Sequence, residues 1–257
     1  FISLLFGGGL GWFYFLSGEL PMDFWVAESY IFLSTYSNLH FVLTFLILIV
    51  MILFLLIKNT RFTTNMVLLF LSIVLVNVSP FAAILSTFLF GLNIFFNLDQ
   101  FKKKIITFLS VGLPTLLFGL YQYLSIHLDP ILSKWNDQNI TSTPSVGNLF
   151  YSYSPYVIGI IFCILYLKIK KIKIPKLILL IFLWIVLTFI LSIIPFNLQR
   201  RFLVGLYLPI AIGFWYVSLE VLIKYSQKKM KLMSGALVAL VLPSNLLIYS
   251  GTINALN

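Results

Sequence analysis

Apolar runs of about 17–25 residues, the length a helix needs to cross the hydrocarbon core of a bilayer, recur from one end of this chain to the other. Water offers such a chain no way to hide its surface. Only 9% of the 257 residues are charged, against about a quarter in soluble domains, and 61% are hydrophobic. The runs are continuously apolar rather than alternating, which excludes a membrane β-barrel. The sequence therefore predicts an all-α integral membrane protein, a single polytopic domain over residues 1–257 with about nine transmembrane or membrane-dipping helices. The chain opens on Phe1 inside one apolar run and ends at Asn257 just past another, so it reads as a piece of a longer protein, truncated at both ends.

The expected segments are 1–16, 41–57, two halves of 66–97 broken at Asn77, Ser79 and Pro80, then 105–126, 156–167, 177–194, 202–223 and 232–249. Gly7 and Gly11 in the first run have the small-xxx-small spacing that lets membrane helices approach closely. Residues 17–40 read as a loop holding an interfacial helix over 24–36, with Asp23 as its N-cap. Residues 127–150 read as a polar loop. Glu220 and Lys224 are spaced as a helix pair.

The net charge of +10 is not a nucleic-acid signal, because the basic residues sit in short loops where they orient helices and meet anionic headgroups. Alternating the runs across a bilayer gathers 14 of the 17 basic residues on one side, which the positive-inside rule makes cytoplasmic. The other side carries five of the seven acids and only Lys134, Arg200 and Arg201. The expected chemistry is extracytoplasmic. The single cysteine, Cys163, supplies no disulfide framework.

Arg200 and Arg201 depart from the charge pattern, and an arginine fork suits phosphate oxygens. The alternative is snorkelling to headgroups. Asp23 and Glu28 are candidates for a general base acting on a sugar hydroxyl, or for ligands of a divalent cation; their five-residue spacing separates them by about 140° on one helix. His40, at the outer start of a run, can donate to a phosphate or cap its helix. Trp135, Asp137, Gln138 and Asn139 form a polar-aromatic cluster suited to sugar, or simply an interfacial loop.

The stretches P-M-D-F-W-V-A-E with N-L-H-F, D-P-I-L-S-K-W-N-D-Q-N-I-T-S-T-P, and Q-R-R-F-L-V-G-L-Y-L-P together resemble bacterial multi-pass proteins similar to the C-type (GT-C) glycosyltransferases. The resemblance implies a GT-C-like bundle in the bacterial plasma membrane. Such a bundle transfers a sugar from a polyprenyl-phosphate donor to an acceptor on the extracytoplasmic face of the cell envelope. Taken with the reading of the residues above, the expected catalytic acids are Asp23 and Glu28, and the expected substrate-binding residues are His40, Trp135, Gln138, Asn139, Arg200 and Arg201. Enzymes of that kind place two acids adjacent or one apart in their first external loop, a spacing that Asp23 and Glu28 do not have. Two alternatives stay open: a transporter or flippase of a lipid-linked or anionic solute, favoured by the break at 77–80, and a protein like the O-antigen ligases and polymerases.

Overall fold

The computed structural model describes residues 6–15, 18, 20–57, 61–172, 175–222 and 227–256. Every regular element among them is helical. In chain order the α-helices are α1 (Gly11–Phe15), α2 (Ile31–Ser37), α3 (Leu39–Leu55), α4 (Phe62–Val78), α5 (Pro80–Phe95), α6 (Phe101–Leu128), α7 (Pro130–Gln138), α8 (Val146–Tyr153), α9 (Tyr156–Ile169), α10 (Lys176–Ile193), α11 (Tyr207–Leu222), α12 (Gln227–Val241) and α13 (Pro243–Leu256). Short 3-10 helices cover Met22–Phe24, Leu98–Gln100 and Gln199–Leu203.

Four stretches are long and apolar enough to cross a membrane: Leu98–Leu128, Lys176–Ile193, Gln199–Leu219 and Lys231–Asn254. The pair α8 and α9 adds a fifth if it counts as one span bent by 81°. The helices α3, α4 and α5 have 17, 17 and 16 residues. At 1.5 Å per residue each is about 25 Å long, short of a hydrocarbon core of about 30 Å. The structure thus bears out an all-helical chain with membrane-length helices, while the expected nine segments include several below that length.

Two compact units form. The first takes Phe1–Leu39, Pro144–Ile185 and Gly205–Asn257, the second His40–Thr143 and Val186–Val204. In the first, α9 packs on α11, with Leu167, Ile178, Ile181 and Val217 in a buried cluster. Gly159 permits the contact: a Cβ there would lie 2.2 Å from the Phe214 ring.

In the second unit α4, α5 and α6 pack together. Buried polar side chains tie them in the manner of membrane helices, which gain little from apolar contact alone. Ser72 donates to the Val111 carbonyl at 2.7 Å, Thr107 to Asn65 Oδ1 at 3.1 Å, and Thr87 to Thr115 Oγ1 at 3.2 Å. The break expected at 77–80 is real: α4 ends at Val78, Ser79 is extended, and Pro80 opens α5, where its missing N–H costs nothing. Arg61 and Lys102 to Lys104 lie at the end of this helix group opposite Ser79 and Pro80, since α4 leads away from that end and α5 returns to it.

Several local expectations need correction. No helix covers 24–36. Met22–Phe24 is a 3-10 turn, Tyr30 is extended, and α2 begins only at Ile31. Tertiary bonds take the backbone instead: Gly205 N–H donates to the Glu28 carbonyl at 2.8 Å and the Ser34 hydroxyl to that of Ala27. Gly7, Gly8 and Gly9 are not helical, so Gly7 and Gly11 do not form a helix-packing stripe. The stretch 127–150 is largely helical. Asp129 caps α7 by accepting from Ile131 N and Leu132 N, and α8 starts at Val146. The pair of Glu220 with Lys224 lies outside the described residues.

Candidate functional site

The residues singled out by sequence fall into two groups, Asp23 and Glu28 in the first unit, and His40, Trp135, Gln138, Asn139, Arg200 and Arg201 in the second.

In the second unit two separate stretches are zipped side by side. Asn197 Nδ2 donates to the Asn136 carbonyl at 3.0 Å, and the Asn197 carbonyl accepts from Thr141 N at 2.6 Å. Arg200 N then donates to the Thr141 carbonyl at 3.0 Å. Oriented by its neighbours, the Gln199 amide donates to the Ile194 carbonyl at 3.2 Å and accepts from Thr143 N at 3.1 Å. The zipper brings the D-Q-N-I-T segment to the Q-R-R turn. Because the ladder runs through backbone and amide groups, we expect Asn197→Ala to cost about 1 kcal/mol, read as a lower melting temperature.

Arg200 and Arg201 ride on the 3-10 helix Gln199–Leu203, both half-buried. The Arg201 guanidinium sits 5.9 Å from the centroid of the Phe41 ring, within cation–π range. His40 lies tilted against the same ring, centroids 4.0 Å apart. Phe202 meets Phe81 edge-on at 5.0 Å, which seats the arginine turn on the Ser79–Pro80 break. His40 is exposed and thus free of the burial that would fix its role in packing. Trp135 is 53% exposed, while the Asn139 side chain is occupied locally, donating to the Trp135 carbonyl at 2.7 Å. Gln138 is exposed at the end of α7. Sequence reasoning does not single out Phe41, Thr141 or Asn197. Thr141 Oγ1 is buried with no hydrogen-bond partner. Thr141 is marked only as the end of the Asn139-Ile140-Thr141 sequon, and no local pattern gives Phe41 or Asn197 a role.

In the first unit both acids are buried, Asp23 at 1% and Glu28 at 3% exposure. Asp23 does not cap a helix, as the sequence suggested; Pro21 occupies that position and no side chain caps the turn. Its carboxylate points into protein. Oδ2 accepts from Gly9 N at 3.2 Å and from the Ser244 hydroxyl at 2.8 Å. Burial pushes the Asp23 carboxyl up to about 6, against the lowering effect of Ser244 and of the backbone at Gly9, Asp23 and Gly11.

A tyrosine layer lies in the same unit. Tyr30 stacks on Tyr153 at 5.6 Å and meets Tyr207 at 5.4 Å. Tyr207 donates to Tyr156 at 2.9 Å, Tyr153 and Ser29 share a bond at 2.5 Å, and Tyr30 donates to the Ser152 carbonyl at 2.7 Å. Burial raises the Tyr30 phenol well above its ordinary value. Among the described residues no group of three or more His, Cys, Asp or Glu is placed to hold a metal ion.

Fold and residues together define an all-helical chain with membrane-length helices, a half-buried arginine turn and a buried acid–tyrosine layer. No protein-family model matches the chain, and neither do the characterised proteins or solved structures with which it was compared.

Proposed function

We propose that this chain is a membrane-embedded glycosyltransferase that takes a sugar from a polyprenyl-phosphate donor on the extracytoplasmic face, with a nine-segment, GT-C-like arrangement in the bacterial plasma membrane. One observation carries the reading: the paired arginines of the Gln199–Leu203 turn are half-buried and backbone-anchored at the start of the membrane-length stretch Gln199–Leu219. With their backbone held this way, the two arginines bring guanidinium donors to a lipid-linked phosphate, whose leaving charge is where catalysis gains most. Exposed His40 and exposed Trp135 supply a hydrogen bond and a stacking face for the donor in the same unit. Glu28, the other acid expected to serve as a base, is buried in the first unit. Asp23 has both oxygens turned into protein.

A second reading, a transporter or flippase for a lipid-linked or anionic solute, is favoured by the broken pair α8 and α9, which part at Ser154–Pro155. The two are separated by reconstituting the protein in liposomes with a polyprenyl-phosphate sugar donor and an acceptor. Release of sugar supports the transferase. Movement of labelled donor across the bilayer without sugar release overturns it in favour of transport.

A further inference from the structure

The non-helical segment 6–10 lies along the break between α12 and α13. The single-residue interruption at Leu242, followed by Pro243, leaves carbonyls without their helical donors. Distant groups take them up. Gly8 N donates to the Val241 carbonyl at 3.2 Å and Trp12 Nε1 to that of Leu240 at 2.8 Å. In return Asn245 Nδ2 donates to the Phe6 carbonyl, and Trp12 N donates to Ser244 Oγ at 3.2 Å. At the centre, Ser244 Oγ and Gly9 N converge on Asp23 Oδ2. The other oxygen, Oδ1, is buried and has no hydrogen-bond partner.

A carboxylate held like this is half satisfied. One oxygen is bonded, the other is buried against Gly11 without a hydrogen bond of its own, and the nearby backbone dipoles offset the charge only in part, a costly state that a proton on the group relieves. We propose that Asp23 is a reversible proton-binding site at the junction of segment 6–10 with the α12–α13 break, and that proton loss loosens this junction. This goes beyond the transferase reading and does not depend on it.

Asp23 is the carboxyl that touches the junction itself. The Gly8–Gly11 segment and the Leu240–Asn245 break contribute no titratable side chain. From α8 and the turn before α2 come Tyr153 and Tyr30, whose electrostatic influence on one another includes Asp23 and, for Tyr153, Glu28. Phenols stay neutral near pH 6. The direction follows from the raised value of about 6 against an ordinary 3.8. The closed junction binds the proton more tightly than the opened one, so it is firmest below pH 3.8 and loosens as pH rises through 6.

The test is amide hydrogen exchange, corrected for the intrinsic pH dependence of exchange, over residues 6–12 and 240–246 of the whole protein in liposomes. The wild type should show about a tenfold rise in junction opening from pH 5 to pH 7. Asp23→Asn, which is neutral throughout, should be flat and stay protected. Ser244→Ala keeps the carboxylate but removes a bond that favours its charged form, so its midpoint should move to higher pH. If Asp23→Asn does not fold, Ser244→Ala decides. An equal rise in Asp23→Asn, or an unmoved midpoint in Ser244→Ala, overturns the proposal.

Discussion

Gly11→Ala should unfold the first unit several degrees below the wild type. A Cβ at Gly11 would stand 1.7 Å from Asp23 Oδ1 and 2.4 Å from its Cγ, closer than any real contact. The carboxylate cannot swing aside cheaply, because its other oxygen holds Gly9 and Ser244. Overpacking of this kind costs about 3 kcal/mol, or a drop in melting temperature of about 6–12 °C for a chain of this size. Gly119→Ala is the control. That glycine lies inside α6 with open space for 4 Å around the position a methyl would take, so alanine there should stabilise by about 0.5–1 kcal/mol. The double variant Gly11→Ala with Asp23→Ala should recover part of the loss, since the clash needs both side chains. A Gly11→Ala protein that melts with the wild type would show that the carboxylate does not sit against this glycine.

Arg200→Ala and Arg201→Ala should each lower kcat/KM for a polyprenyl-phosphate donor by about 100- to 1,000-fold, the usual cost of removing one preorganised donor to developing charge. Melting temperatures should move far less. For Arg201 the cation–π contact with Phe41 is worth about 0.5–1 kcal/mol. Arg201→Lys keeps the charge and loses the planar fork, so its activity should fall between that of the wild type and that of Arg201→Ala. Phe41→Leu removes the aromatic face while leaving the arginine and should weaken donor binding modestly. Unchanged turnover in both alanine variants would remove the phosphate clamp and, with it, the observation on which the transferase reading rests.

How far the sequence can be read differs by residue, for physical reasons. Pro80 announces its break because proline lacks an N–H and Ser79 before it avoids the helical region, both properties of the local backbone. Arg200 and Arg201 stand out because a charge at the edge of an apolar run is conspicuous anywhere. Asp23 reads as a cap because capping is the commonest use of an aspartate before a helix. Its actual partner, Ser244, is 221 residues away, and no spacing rule reaches that far. The same holds for Thr141 and Asn197, whose pairing converts an apparent polar loop into the support of the arginine turn.

What the amino-acid sequence determined by itself was the solvent and the class: helices, because an apolar chain in lipid must satisfy its backbone within each segment, and helices of membrane length, because hydrophobicity is additive along a run. What only the tertiary structure decided was which helices end early, where the glycine segment goes, and which oxygen meets which donor. Those outcomes depend on groups far apart in the chain competing for the same buried hydrogen bonds, and that competition is settled by packing rather than by any property of a single stretch.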